Sequence, residues 1–457
     1  MNWLDELQQE LGDCVHVDEK TLTEHAADKW HASALPQAVV LARSTADVAC
    51  CMQIASQYQI PVTARGAGVG YVGGCVPVQG GIVLSVAPMQ RIIEIAPEDG
   101  VAVVEAGVLT ATLQDACAEL GWFYPPDPAS RKESSIGGNI ATNAGGPRCL
   151  KYGVTRAYVL GLTVVMANGE VVRCGGRTHK NKQGFDLVGL FCGSEGMLGI
   201  VTEATLRIIP APPARAALQA FFPDFALAAK AVQNVLQGGH LPAAMEITDA
   251  FTLEAARQYL GEDKLPAGQQ GHIIIEIDGQ TADLPAQLAS IAQILTQTGA
   301  SQVMTASSES EVEAIWQLRR EFSYSLKATG LTKLNEDIVI PRSKLVELVS
   351  FCRSMQQRSG IDIACFGHSG DGNIHTNIMV PRDAQGLERR AESEALVQEL
   401  FDWVLAAGGS ITGEHGIGLA KASCFQQAIG SPAYKLHQTL KAALDPKGIL
   451  NPGKMSL

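Results

Sequence analysis

Apolar positions along the chain change period several times, and each change marks an element. The stretch "TADVACCMQIASQYQ" (45–59) carries its apolar residues at helical spacing behind a Thr/Asp start, which predicts a helix. "IPVTARG" then reads as a strand running into a loop, "VAVVEAG" as another strand, and "LTATLQDACAELG" as a helix with a glycine stop. "VLGLTVVMANGEVV" predicts a hairpin with Asn168-Gly169 as its turn, and "GMLGIVTEATLRIIP" is expected to close the block as a strand pair. The proline-rich junction "APPARAA" marks a boundary. Beyond it strands and helices alternate to about Gly418, with "GHIIIEIDG" and "IDIACFG" as the clearest strands. The remainder, "ASCFQQAIGSPAYKLHQTLKAALDPKGILNPGKM", reads as helices with a turn-rich tail. There is no internal repeat and no low-complexity segment.

Composition narrows the class. At 457 residues the chain is long for one domain and suits two or three. Hydrophobic residues at 46% and charged residues at 18% describe a globular protein. A net charge of −12 argues against a nucleic-acid partner, yet a local pocket of opposite sign leaves an acidic substrate open. The start "MNWLDELQQELGDCV" is acidic, with neither the basic nor the apolar region of a secretory signal. No run of about 18 apolar residues predicts a transmembrane helix. Eleven scattered cysteines without a C-x-x-C suit free thiols and leave no iron–sulfur ligand run. The expected location is the cytoplasm, at most peripheral to the inner face of the membrane.

Two kinds of glycine-rich stretch carry candidate chemistry. In "CFGHSGDGNIHTN" (365–377) a two-residue turn at Asp371-Gly372 would set His368 opposite His375 on one face of a hairpin. That spacing suits two imidazoles on one metal ion, or simply two half-buried histidines. "RGAGVGYVGG" (65–74) contains Gly68-x-Gly70-x-x-Gly73, the dinucleotide fingerprint, but runs into a strand instead of opening a helix. It reads either as a mobile loop or as a backbone nest for a phosphate. "SSIGGNIATNAGG" (134–146), preceded by "PPDPASRKESS" and followed by "GSEGMLGIVTEATLRIIP", adds small, weakly charged backbone fit to lie against a flat ligand.

These motifs, in this order from Pro36 to Pro210, resemble the FAD-binding domain of the vanillyl-alcohol oxidase / p-cresol methylhydroxylase superfamily. The resemblance implies that Gly66, Ala67, Gly68, Val69 and Gly70 cradle the pyrophosphate of FAD through their amides. It further implies that Gly137, Gly138 and Asn143 line the dinucleotide, that Pro126 and Asp127 flank the isoalloxazine region, and that Ile200 contributes backbone contacts. Some relatives tether the flavin through a histidine in or near the first loop; this loop contains neither histidine nor cysteine until Cys75, so FAD is expected to be non-covalent. The family's loop more often ends Ser-Gly-Gly, where this chain has Val72-Gly73-Gly74.

Downstream, "SITGEHGIG" (410–418) sets Glu414 and His415 among three glycines. Two histidines and a carboxylate with a position left open form a catalytic metal set. "GHSGDGNIH…GEHGIG" together with "LDPKGILNPGKM" resembles the FAD-dependent D-2-hydroxyacid dehydrogenases: D-lactate and D-2-hydroxyglutarate dehydrogenases and the flavin subunit of glycolate oxidase. The implied fold class is α+β: a two-subdomain FAD-binding domain over 1–210, a substrate (cap) domain with a helix-covered antiparallel sheet over 211–418, and a C-terminal helical segment, 419–457, returning to the FAD domain.

The implied chemistry is oxidation of a D-2-hydroxyacid to the 2-oxoacid, with the C2 hydride passing to N5 of FAD. A divalent metal on His368, His375 and Glu414 would lower the pKa of the hydroxyl, zinc first, with manganese or iron as alternatives. His415 is the candidate base, or else a third nitrogen ligand. By the resemblance Arg319 clamps the substrate carboxylate, with Arg320 as competitor, and Ser323 and Asn377 assist. Lys333 or Asn335 fills the family's lysine position. Each of these helix residues also reads as part of a solvated face. Electrons would leave to a quinone, a cytochrome, an electron-transfer flavoprotein or a partner subunit; a homodimer is allowed. Two other readings stay open: a superfamily relative acting on another substrate, such as an alkyl-dihydroxyacetone-phosphate synthase, and a non-catalytic electron-carrying or scaffold subunit.

Overall fold

The computed structural model describes residues 2–262, 264–383 and 385–457. The fold is α+β and divides into two compact units: 1–146 with 153–211 and 414–457, and 147–152 with 212–413.

The first unit holds two main sheets. In the smaller one Ala38–Leu41 and Val62–Arg65 flank Ile82–Ser85 in parallel, with Val15–His16 antiparallel at the edge. Parallel strands need a crossover, and the helix Thr45–Tyr58 supplies the one that joins Ala38–Leu41 to Val62–Arg65. Ser44 caps it by accepting from the Asp47 N–H at 3.2 Å. Its Val48, Cys51, Met52, Ile54 and Ala55 face the core. The larger sheet is antiparallel, in the order Ile92–Ala96, Val101–Glu105, Ile200–Arg207, Val159–Val165, Val171–Gly175. Asn168-Gly169 does turn the last hairpin. Gly169 (φ +84°) donates to Met166 O, and Met166 donates to Glu170 O, leaving a three-residue loop.

One expectation fails here: "GMLGIVTEATLRIIP" is not a strand pair. Its residues give one long strand, Ile200–Arg207, and a two-residue strand, Ile209–Pro210, that pairs with Trp122–Phe123. No turn chemistry interrupts 200–207, so the strand simply continues between its two neighbours.

The turn-rich tail closes on the first unit's smaller sheet. Val62 donates to Ile449 O and accepts from Asn451 N, and the Asn451 carboxamide accepts from Ala64 N at 2.8 Å. Helix Ser431–Leu444 leads into it, and Lys441 and Asp445 form a buried pair at 2.6 Å. The same ammonium donates to Met197 O and Leu450 O, while Asp445 accepts the N–H groups of Ile449 and Leu450.

The second unit is built on one seven-stranded antiparallel sheet, in the order Gln302–Ala306, Ala214–Phe222, Gly271–Gly279, Ala244–Asp249, Ile363–His368, Asn373–Val380, Thr332–Val339. Helices Ala250–Leu260 and Glu309–Ala328 cover the face that carries Ala364, Phe366 and Met379. The Glu309–Ala328 helix starts on a capping box, Ser308 with Glu311. Helices Phe225–Gln237, Leu284–Gln297 and Leu345–Ser359 also pack in this unit.

The histidine hairpin differs from expectation in register. His368 lies opposite Asn373, and His375 opposite Phe366, so the loop is the four residues 369–372. Asp371 accepts from the Asn373 N–H at 3.2 Å, Gly372 O accepts from Ile340 N, and the Ser369 hydroxyl and Gly370 N–H both donate to Met245 O. These outside anchors open the tight turn by one pair of residues. A slip of two positions keeps every side chain on its face, whereas a slip of one would have turned it over. The histidines therefore still share a face as diagonal neighbours, ring centroids 5.5 Å apart.

Asp445→Ala would strand the Lys441 ammonium where it is 8% exposed, at an expected cost of about 3–5 kcal/mol. Urea unfolding followed by tryptophan fluorescence checks this; an unchanged midpoint would refute the pairing as a stabilising contact.

Candidate active site

The second unit's site begins with Glu246, a carboxylate 1% exposed on the strand Ala244–Asp249. Its register partner across the sheet is His368. Glu246 Oε1 accepts from His368 Nδ1 at 2.6 Å, and Oε2 accepts from Arg319 Nε at 2.5 Å. Burial alone would raise this carboxyl's pKa, but the adjacent Arg319 charge and His368 outweigh it and hold the value near about 2. A carboxylate on Nδ1 fixes the His368 tautomer and leaves Nε2 with its lone pair, the arrangement of a metal-ligating histidine.

His375 lies on the strand Asn373–Val380, opposite Phe366 on one side and Asp337 on the other. Asp337, fully buried, accepts from Asn373 Nδ2, the Thr412 hydroxyl and the Gly413 N–H. It thereby fixes the turn whose next residue is Glu414. His368 and His375 stand with their ring centroids 5.5 Å apart. Two imidazoles this close, one already oriented by a buried acid, suit a divalent cation.

The anion-binding candidates sort by exposure. Arg319 is 13% exposed, with its guanidinium carbon 4.9 Å from the Phe366 ring centroid; the pairing with Glu246 uses one of its five N–H donors. Arg320 points the other way: its side chain is 47% exposed and occupied by Glu313 and Gln317. Ser323, one helical turn beyond Arg319, accepts from Lys333 Nζ at 3.1 Å. Burial pushes the Lys333 ammonium down to about 8, with Lys327 adding repulsion. Asn335 is paired in register with Asn377, and Lys333 with Met379, so both look from the same face as His375. Asn377 donates to Ala364 O and His375 O, while its buried Oδ1 has no partner among the described residues.

In the first unit, His415 follows Glu414 directly. Its ring lies 5.3 Å from that of Tyr71, centroid to centroid, and its Nε2 is 3.9 Å from Glu414 Oε1, beyond hydrogen-bonding length. Both side chains are largely buried, 15% and 11% exposed.

The glycine loop of the first unit behaves as a donor nest. Among the described residues, no backbone hydrogen bond uses the N–H of Gly66, Ala67, Gly68, Val69 or Gly70. Five amides left open on a mostly half-buried loop suit an anion. At Gly68 (φ +71°) an added Cβ would meet Arg65 Nη2 at 2.2 Å, so this residue's cation lies directly against the nest. Arg65 itself is held by Ala27 O and by Cys75 Sγ at 3.2 Å. These features fit the pyrophosphate of a dinucleotide.

The second glycine run is tighter than the sequence implies. Gly137 is packed against Ala106, where a Cβ would lie 2.8 Å from that methyl, and its N–H is taken by Ala106 O. Gly138 is half-buried, its N–H capped by Ser135. Asn143 (φ +51°) uses Oδ1 to hold the Arg156 N–H. Pro126 is buried with its carbonyl accepting from Gln114, and the half-buried Asp127 backs onto Gly146. Ile200 sends its side chain into the first unit's core, which leaves only its backbone for a ligand.

Sequence reading missed Glu246, Asp337 and Arg65. The first two are acids inside strands, with no motif around them; only their burial and partners reveal them. Arg65 opens the glycine run and could have been found as the cation at its base.

Comparison with known proteins identifies the family. Residues 36–175 match the family model "FAD binding domain", and 211–455 match "FAD linked oxidases, C-terminal domain". The glycolate oxidase subunit GlcD of Bacillus subtilis is 38% identical over 92% of this chain and 89% of its own length. The D-lactate dehydrogenase of Archaeoglobus fulgidus is 32% identical over 100% of this chain and 99% of its own. Among solved structures, p-cresol methylhydroxylase with substrate bound superposes with a TM-score of 0.81 at 20% identity, covering 100% of this chain and 96% of that one, which shows the fold alone. The chain belongs to the FAD-linked oxidases, and it shares the fold of p-cresol methylhydroxylase.

Proposed function

We propose that this FAD-linked oxidoreductase oxidises a small D-2-hydroxyacid to the 2-oxoacid and passes the electrons to an acceptor other than NAD. The observation that carries the reading is the Glu246-oriented His368 beside His375, on the sheet face that also presents Lys333 and Asn377. The names of the relatives, a glycolate oxidase subunit and D-lactate dehydrogenases, support the substrate class.

In this reading FAD, when bound, supplies the two-electron acceptor, held non-covalently by the amides of 66–70 over Arg65. Cys75 is no tether, because Arg65 holds its sulfur and burial pushes its thiol up to about 11. A divalent metal on His368, His375 and Glu414, zinc first, supplies Lewis acidity that makes the 2-hydroxyl easier to deprotonate. Arg319 and Lys333, with Ser323 holding the lysine, bind the substrate carboxylate, and Asn377 offers its unpartnered Oδ1 to a substrate or water donor. His415 takes the hydroxyl proton. Glu246 keeps His368 in one tautomer and holds Arg319 in place.

Three outcomes are expected. Metal analysis of the purified chain should find about one divalent ion per chain, absent in His368→Ala; Glu246→Gln should weaken binding by roughly 10–100-fold. Metal content unchanged by His368→Ala would sink the metal assignment. Under nitrogen, one or more D-2-hydroxyacids from a D/L panel should bleach the flavin of the wild type, and His368→Ala should retain FAD but stay yellow. Bleaching by none of the panel would overturn the substrate class.

The third concerns pH. Lys333 has a lowered pKa, so its charge is present below about 8 and is lost as pH rises through that value. The free-enzyme profile, kcat/KM, should therefore fall above pH about 8, and Lys333→Met should be lower throughout and lack that limb. A limb that survives in Lys333→Met assigns it to another group.

A further inference from the structure

The turn that carries Glu414 and His415 has little order of its own. Glycines stand at 413, 416 and 418, and the last two adopt positive φ, +88° and +49°. Glycine backbone has more conformational freedom to lose than any other, so its geometry here must be imposed from outside. Within the first unit the imposing group is Glu195. Its Oε1 accepts the Ile417 N–H at 2.7 Å and its Oε2 accepts the Gly418 N–H at 2.8 Å. The carboxylate lies so flat on the turn that a Cβ at Gly416 would stand 2.5 Å from Oε1.

Glu195 is itself over-determined. It is 8% exposed and occupies φ +50°, a conformation that is strained for a non-glycine residue and persists only where neighbours enforce it. Its N–H donates to Ala141 O at 2.8 Å, and its carbonyl accepts from Asn451 Nδ2 at 2.6 Å. Asn451 in turn accepts from Ala64 N, next to the glycine nest. The acid therefore stands on a rigid base and reaches out with both oxygens to two consecutive amides. Lys421 lends its charge from the helix-leading segment beyond the turn, and burial pushes the Glu195 carboxyl up to about 7 against those pulls.

We propose that Glu195 is a positioning residue: by gripping the Ile417 and Gly418 amides it fixes where the His415 imidazole stands. Tyr71 brackets the same ring from the side. The catalytic consequence rests on the reading of His415 as the base; the grip does not.

The test uses the full FAD-loaded chain and Glu195→Gln, which keeps the size of the side chain but turns an NH₂ toward one of the two N–H donors. Residue-resolved hydrogen exchange should show Ile417 and Gly418 protected in the wild type and exchanging at least about tenfold faster in the variant. With D-lactate or glycolate as substrate, kcat should fall by roughly tenfold to a hundredfold while KM and FAD per chain stay within about twofold. Glu195→Asp, a carboxylate one methylene short, should recover part of kcat. Unprotected amides in the wild type, or unchanged exchange in the variant, overturn the grip; if neither variant loads FAD, the wild-type protection alone decides it. Faster exchange with unchanged kcat, or a change in KM alone, overturns positioning. A wild type that bleaches with no hydroxyacid refutes the proposed function, and exchange still judges the grip.

Discussion

The second unit is organised around a charge that has no water. Glu246 sits in the middle of a seven-stranded sheet, 1% exposed, and is tolerable there only because a guanidinium and an imidazole each take one oxygen. Replacing such a pair by apolar residues commonly leaves stability unchanged or raises it, so its presence argues for a geometric task. That task is visible. The strand supplies Glu246 directly across from His368, the helix Glu309–Ala328 supplies Arg319, and the three together fix a tautomer and the depth of a cation. Neither partner can shift without leaving the carboxylate half-satisfied.

The first unit solves a different problem, that of holding glycine-rich backbone still. The nest at 66–70 and the turn at 414–418 have few side chains to pack, so order is brought by buried polar groups on other segments. Asn451 ties Ala64 to Glu195, and Glu195 ties Ala141 to Ile417 and Gly418. The C-terminal tail thus earns its "NPGK" by holding loops hundreds of residues away in sequence. Lys454 at its end is 0% exposed and donates to Val76 O, just past the nest.

Much of this was legible in the sequence, for reasons that also set the limit. Helix Thr45–Tyr58, strand Gly271–Gly279 and the hairpin at 159–175 follow from periodicity and local turn chemistry, which act within a few residues. The glycine motifs point to a ligand because backbone must approach it closely. The hairpin register was misread because its loop is held open by Met245 and Ile340, residues that no local rule can see. The sharing of a face by His368 and His375 survived, since pleat parity does not depend on loop length in steps of two. Glu246, Asp337 and Glu195 stayed hidden because a strand acid or loop acid looks the same in sequence whether it faces water or a buried donor.

Charge illustrates the same divide between global and local. A chain of net charge −12 repels anions at a distance, and composition alone would not recommend it as a binder of carboxylates or phosphates. Yet the cations that matter are placed where water is scarce: Arg65 against the nest, Arg319 at 13% exposure, Lys333 beside Ser323. In a low-dielectric setting a single placed charge outweighs a dozen dispersed ones, because screening by solvent falls away over a few ångströms. The sign of the whole molecule and the sign of its sites are thus set by different selections, and only the second bears on what it oxidises.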